Sequence, residues 1–290
     1  MKNKLLGSLF LSLAASIWGG MYVVVKVVVD VVPPLELVWL RYVIAVIALA
    51  IIALFTKQKW KIAKKDWLII FLVGLIGNTI SIVTQEIGTM LSTAQMGAII
   101  TSTTPAFMVL FARWILKEKM TYKKSISMIL ATIGVAIIVG NGHVDMTQQL
   151  GGFSLLIAAL TWALMSVLVK KIPSHYSQIV VTTYTACIAV ILLMPFVVTR
   201  LGEVDVAAIF EPSIAGGLIY LGIISTACGF LLWNKGLQLL NASSGGLFFF
   251  FQPIVGTFLG WLLLGEQIGL AFWFGTILIF TGVLLVIKEE

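Results

Sequence analysis

Residues 91–134 and 239–282 carry one pattern twice, 148 positions apart, and in a chain of 290 residues that duplication limits the architecture more than any single residue. Gly88, Leu91, Ala94, Gly97, Pro105, Leu116, Glu118 and Gly134 recur as Gly236, Leu239, Ala242, Gly245, Pro253, Leu264, Glu266 and Gly282. Matches of glycine and leucine are cheap in so apolar a chain. Only 7 residues are proline, however, so a repeated Pro-to-Glu interval of 13 carries weight. Trp18 with Trp162 and Lys26 with Lys170 match at an offset of 144, so the second half has gained four residues between its first and third segments. A membrane chain built from two repeats has the sequence signature of a transporter.

Composition puts the chain in a membrane. Apolar residues make up 60% and charged residues 11%, with a mean hydropathy of +1.09, whereas soluble domains are about a quarter charged. Ten apolar stretches can be read, at 5–25, 35–55, 67–86, 94–116, 125–141, 151–169, 178–199, 213–233, 243–264 and 269–287. Most reach the roughly 20 residues that a helix needs to cross the hydrocarbon; the fifth and tenth are shorter and rely on flanking side chains. The expected fold is therefore an all-α integral membrane protein, with ten transmembrane helices as two inverted five-helix repeats, residues 1–141 and 151–288. Lys2 and Lys4 precede the first stretch, but no short apolar core with a small-residue cleavage site follows, so it counts as a retained helix. Cys187 and Cys228 lie within spans without ligand or redox spacing and read as packing residues.

Threading the ten helices alternately places 16 of the 19 Lys and Arg on one side: Lys2 and Lys4, the lysines of 57–65, the basic residues of 113–124, Lys170, Lys171, Lys235 and Lys288. Positive residues mark the cytoplasmic face, which predicts both termini inside and a multi-pass protein of the cell membrane. The net charge of +7 is then an address on the lipid, with no aromatic-basic groove to take nucleic acid. Five helices per repeat is an odd number, so the halves enter from opposite sides and a substrate site is expected near the midplane between them.

Trp18-Gly19-Gly20 with Lys26, Trp39-Leu40-Arg41-Tyr42, Gly88 with Ser92-Thr93-Ala94, Thr104-Pro105-Ala106-Phe107 and Leu116-Lys117-Glu118 resemble the EamA repeat of the drug/metabolite transporter superfamily. Gln252-Pro253-Ile254-Val255 through Leu262-Leu263-Leu264-Gly265-Glu266 is similar to the same pattern. The resemblance covers nearly the whole chain. It implies ten helices, inverted repeats and a central cavity lined mainly by helices 1, 3, 4, 6, 8 and 9. It also implies export of amino acids, other small metabolites or toxic compounds, without specifying which.

Several side chains are candidates for substrate binding. On helix 3, Gly74, Asn78, Ser81, Gln85 and Gly88 share a face at spacings of four and three. The glycines read as packing, and Asn78, Ser81 and Gln85 as facing a wet cavity, against the alternative that all of them only pack helices. Helix 4 carries Thr101 to Thr104 before Pro105, and helix 9 carries Phe249 to Gln252 before Pro253. A mid-helix proline kinks the helix and frees the carbonyl four residues earlier, so Thr104 and Gln252 are expected to line the cavity beside irregular backbone. Trp18, Tyr22, Trp162 and Tyr220 are expected in its walls, since Trp18 and Trp162 sit too deep for interface anchors.

Ionisable residues within spans are functional suspects because each costs roughly 2.5–3.5 kcal/mol at the bilayer centre. Arg41 reads either as the partner of Glu36 at a helix end or as a substrate contact, and the resemblance implies an arginine at this place. Glu86 reads either as an exposed interfacial carboxylate or as the acid that couples transport to protons. Lys26 reads as an outer-loop anchor, and Glu118 and Glu266 as caps on the helices that follow them.

No glycine-rich phosphate loop precedes a helix, so no cofactor is expected and the energy would come from a gradient of protons or a counter-substrate, or transport would be passive. A membrane-embedded enzyme acting on a lipid-linked substrate would need clustered Asp, His, Arg or Ser near an interface, whereas His143 and His175 lie in loops assigned to opposite sides. A non-transporting sensor is the other rival. The reading favoured is efflux of small amphipathic metabolites by alternating access, with membrane lipid as the surrounding partner.

Overall fold

The structure, a computed structural model of the chain, describes residues 2–92, 94–139, 146–200, 206–264 and 270–287. The expectations for His143 and Glu266 fall outside these residues. Among the described residues there is no strand, and ten helical stretches follow one another. They are α1 (Lys2–Val29), α2 (Pro34–Phe55), α3 (Lys64–Leu91), α4 (Ala94–Thr101 continued by Thr104–Leu116), α5 (Tyr122–Val139), α6 (Met146–Val169), α7 (Gln178–Val198), α8 (Pro212–Leu239), α9 (Ala242–Gly246, Leu247–Phe250 and Phe251–Leu264) and α10 (Leu270–Ile287). A single turn, Val206–Ile209, precedes α8.

Seven of these stretches, α1, α2, α3, α6, α7, α8 and α9, are long and apolar enough to cross a membrane. Thr104–Leu116 in α4 and Trp273–Gly282 in α10 are shorter apolar helices. Large apolar side chains remain exposed on the outside, such as Ile47, Ile51 and Phe55 on α2 or Trp273, Phe274 and Ile277 on α10. On a water-soluble protein a continuous surface of this kind would drive association; on a membrane protein it faces lipid.

The contacts between the halves are reciprocal. α1 packs on α8 and α6 on α3; α1 on α9 and α6 on α4; α2 on α8 and α7 on α3. α2 pairs with α7, and α5 with α10. Each contact thus recurs with the halves exchanged, the pattern that a two-fold relation generates. It holds to the level of residues. A Cβ on Gly236 would stand 2.5 Å from Leu11 and 3.2 Å from the Gly7 carbonyl, and one on Gly88 would stand 2.6 Å from Leu155 and 2.9 Å from the Gly151 carbonyl. These are matched positions in the repeat, and glycine suits both because a side chain would run into the facing leucine and, at Gly88, the facing backbone as well.

The helix ends repeat as well. Lys26 Nζ donates to the carbonyls of Met90 and Ser92 at the end of α3 (3.2 and 3.1 Å), with Thr89 at 3.5 Å. Lys170 Nζ donates to Leu237 and Leu240 at the end of α8 (2.6 and 2.8 Å). Lysine on the last carbonyls complements the negative end of the helix dipole. Lys26 therefore anchors the end of α3, where an outer-loop anchor was expected. Glu118 departs from expectation more sharply. Its carboxylate accepts from the backbone N–H groups of Ala242 and Ser243 and from the Ser243 hydroxyl (2.9, 3.1 and 2.6 Å). It caps α9 in the other half, not the α5 that follows it, because the reciprocal packing brings the two ends together.

Candidate functional site

Two irregularities at matched positions shape the centre of the bundle. α3 widens to i→i+5 hydrogen bonding over Gly74–Ser81, and α8 does so over Tyr220–Cys228. Such π-helical segments recur at functional sites because they displace carbonyls from the regular ladder. One displaced carbonyl, that of Ser225, accepts from Trp18 Nε1 at 2.9 Å. α4 and α9 are interrupted in turn. α4 breaks at Ser102–Thr103 and restarts at Thr104, while α9 tightens to a 3₁₀ turn over Leu247–Phe250 before resuming at Phe251. Pro105 and Pro253 fall in the first turn of the resumed segments, where a missing N–H costs nothing. The proline kink expected within continuous helices is therefore a break and a narrowing. The hydroxyls of Thr101, Ser102 and Thr103 fold back onto the carbonyls of Gly97, Ala98 and Ile100, each at 2.6 Å.

These interruptions surround a cavity of about 20 Å³, room for about one water. α1 contributes Trp18 and Met21, α2 Arg41, α3 Ile82 and Gln85, and α4 Thr101 and Thr104. The second half supplies Ala158, Ala159 and Trp162 from α6, Phe230 from α8, and Phe249 and Gln252 from α9. One wall is aromatic. Trp18 lies 5.2 Å from Trp162 and 5.8 Å from Phe230 edge to face, with Trp233 and Phe249 at 5.4 and 5.7 Å.

The other wall is polar. Thr101 Oγ1 shares a hydrogen bond with the Tyr22 hydroxyl (2.7 Å) and is 3.2 Å from Gln252 Oε1, and Tyr22 reaches Gln85 Oε1 at 3.4 Å. Beside this chain Arg41 Nη1 donates to Glu86 Oε1, and both residues are fully buried. Arg41 Nε donates to Thr226 Oγ1 (3.0 Å) and Nη2 to Ser225 Oγ (3.1 Å), with Met21 Sδ at 3.3 Å. A buried ion pair is tolerable only when the remaining donors are satisfied in this way.

The sequence-predicted residues divide into three groups. Trp18, Gln85, Thr104, Trp162 and Gln252 line the cavity, as does Arg41. Tyr22 stands behind the lining and holds Gln85 and Thr101. Ser81, Tyr220 and Asn78 do not reach it: Ser81 Oγ braces α3 on the Ala158 carbonyl (2.8 Å), the Tyr220 hydroxyl donates to the Ile17 carbonyl (3.0 Å), and Asn78 is buried one turn before Ile82. Glu86 is not the exposed interfacial carboxylate that one reading of the sequence offered. Arg41 pairs with Glu86 and not with Glu36, which is buried in the first turn of α2, where the helix dipole favours an acid. Met21, Ile82, Ala158, Ala159 and Phe230 were missed.

Comparison with known proteins bears on the family and the fold. A family model described as the EamA-like transporter family matches residues 5–140 and again 149–288. An uncharacterized transporter of Archaeoglobus fulgidus is 25% identical over 281 residues, 97% of this chain and 98% of that protein. The uncharacterized transporter YoaV of Bacillus subtilis is 27% identical over 274 residues, 93% of this chain and 92% of its own. The permease-like protein YdzE of Bacillus subtilis is 79% identical over 72 residues, 25% of this chain and 92% of that protein. A crystal structure at 17% identity superposes with a TM-score of 0.74 over 96% of this chain and 95% of its own, which shows a shared fold.

Proposed function

The chain belongs to the EamA-like transporter family and is a multi-pass membrane transporter; from this we propose that it exports small amphipathic organic solutes by alternating access between two inverted halves. The halves are residues 1–141 and 151–288, each with five membrane-crossing helices, and α4, α5 and α10 complete the ten. The observation that carries this reading is the central cavity, lined by α1, α2, α3 and α4 of one half and by α6, α8 and α9 of the other. At about 20 Å³ it is closed to any organic solute, so the helices must part for one to enter. Reciprocal packing supports equivalent openings on the two faces, because each contact that seals one face has a counterpart on the other.

In this reading Trp18 and Trp162 hold the apolar part of the solute, and Gln85, Thr104 and Gln252 its polar part. Tyr22 positions Gln85, while Asn78, Ser81 and Tyr220 hold the helices around the site. Glu86 couples transport to protons by exchanging its bond to Arg41 for a proton during the cycle; Tyr22 and Tyr42 are the other titratable groups that interact with it. Both termini lie in the cytoplasm, supported by the 16 of 19 basic residues assigned to that side.

The function is tested with purified protein in vesicles loaded with a metabolite extract of the host cell, reading released solutes by mass spectrometry. The expected result is protein-dependent release of a small set of amphipathic compounds; no protein-dependent release of any solute contradicts it. Orientation is tested by labelling Lys61→Cys with an impermeant thiol reagent in intact cells. Protection is expected, and labelling from outside reverses the topology.

A further inference from the structure

The polar lining of the cavity is unevenly satisfied, and the imbalance points to the chemistry of what it binds. Trp18 and Trp162 are matched residues of the repeat, yet only Trp18 has its indole N–H bonded, to the Ser225 carbonyl of the α8 π-segment. The matched position on α3 is Gly77, and Trp162 Nε1 makes no hydrogen bond among the described residues although it is buried at the cavity. Gln85 repeats the situation on the opposite wall. Its Oε1 lies 3.4 Å from the Tyr22 hydroxyl, while its Nε2 is buried without a hydrogen-bond partner within normal distance among the described residues; the Gln85 side chain also interacts with the Glu86 carboxylate. Unpartnered buried donors call for a partner; Trp39 Nε1, Tyr42 Oη, Asn78 Nδ2, Gln178 Nε2 and Gln238 Nε2 share this state, but among the described residues Trp162 and Gln85 are the two that line the cavity.

We infer that the cavity recognises the hydrogen-bond-accepting oxygen of a carbonyl or carboxylate group through Gln85 Nε2 and Trp162 Nε1, with the apolar body of the solute against Trp18, Phe230 and Phe249. This rests on the central cavity being the solute site. Of the lining amide oxygens, Gln85 Oε1 lies 3.4 Å from the Tyr22 hydroxyl and Gln252 Oε1 3.2 Å from the Thr101 hydroxyl, whereas the unpartnered buried side-chain atoms on the lining among the described residues are both N–H donors. Arg41 adds positive charge that Glu86 cancels. The aromatic rings do not form an open cage for an organic cation, because Trp162 and Phe230 each present an edge to Trp18 and lie 5.1 Å from one another. Trp162 and Gln85 line the same cavity, so an acceptor oxygen bound there enters the space that both donors border.

The test is a thermal-shift titration of the full chain in nanodiscs with four compounds on one skeleton: phenylpropanamide, phenylpropanoate, phenylpropyltrimethylammonium and propylbenzene. The two acceptor-bearing compounds are expected to bind about tenfold or more tighter than the other two. Trp162→Phe keeps an aromatic ring and removes the N–H, and it should weaken the acceptor-bearing pair about fivefold to tenfold more than it weakens propylbenzene. Gln85→Leu should do the same from the opposite wall, which covers the case of one variant failing to fold. Tightest binding by the ammonium compound, binding by none of the four, or an equal loss for all of them in both variants overturns the inference. If vesicle flux fails while the acceptor preference and its loss in the variants hold, recognition stands and the transport reading falls.

Discussion

The α2–α3 contact of the first half and the α7–α8 contact of the second occupy matched places in the repeat but are held by different chemistry. In the first, Arg41 and Glu86 form a buried ion pair. In the second, the residue matched to Glu86 is Asn234, whose Nδ2 donates to Thr182 Oγ1 at 3.1 Å. The contact between α1 and α3 repeats the lesson. Tyr22 with Gln85 in one half becomes Ser166 with Trp233 in the other, where Trp233 Nε1 donates to Ser166 Oγ at 3.1 Å. The frame has been conserved between the halves within this molecule while its contents have not. The first half supplies hydroxyl, charge and the Gln85 amide, and the second supplies most of the aromatic surface with the Gln252 amide, so one cavity has a polar wall and an apolar wall.

The largest break in this comparison comes from Arg41→Ala. It strands Glu86 as an uncompensated buried charge and is expected to cost about 3–5 kcal/mol, seen as loss of folded protein in detergent-extracted fractions. Arg41→Met combined with Glu86→Leu should recover most of that stability, since an apolar pair of similar volume often replaces a buried ion pair without loss. Failure of the double variant to recover would mean that the surrounding hydroxyls of Ser225 and Thr226, not the charge, set the cost.

Overpacking comes next. Gly88→Val and Gly236→Val fill matched helix crossings and should each cost roughly 1–3 kcal/mol, with similar losses in thermal midpoint. Strongly unequal losses would show that the reciprocal packing is not mechanically equivalent. Asn234→Ala removes only a neutral hydrogen bond and should cost about 1 kcal/mol, well below Arg41→Ala. The smallest effects are expected from Lys26→Met and Lys170→Met, about 0.3–1 kcal/mol each at a helix end, equal to within error because both lysines bond carbonyls closing matched helices.

The sequence made the frame legible because packing glycines, prolines and helix-end lysines repeat at fixed offsets, and those residues are the ones that set where helices touch. It also located Trp18, Gln85, Thr104, Trp162 and Gln252 beside the cavity. Asn78 and Ser81 were placed on the face of Gln85 by a period of 3.6, but the π-segment Gly74–Ser81 winds more widely, so the helix phase shifts before Gln85 and the face turns. Ala158, Ala159 and Phe230 were not legible at all, since an apolar residue on an apolar helix carries no mark of which way it faces. The partner of Arg41 depended on the rotation of α2 against α3, and the target of Glu118 on the meeting of the two halves. Both are tertiary facts without a local pattern.

Under the proposed function the charged pair of the first half drives transport while its neutral counterpart in the second half only holds helices together. The direct measurement is solute flux in vesicles under an imposed pH gradient, comparing wild type, Glu86→Gln and Asn234→Ala at matched amounts of inserted protein. Glu86→Gln keeps an oxygen facing Arg41 but cannot carry a proton. Flux that follows the gradient in wild type and Asn234→Ala, and persists without regard to it in Glu86→Gln, is the predicted result. Gradient-driven flux in Glu86→Gln equal to wild type would contradict it.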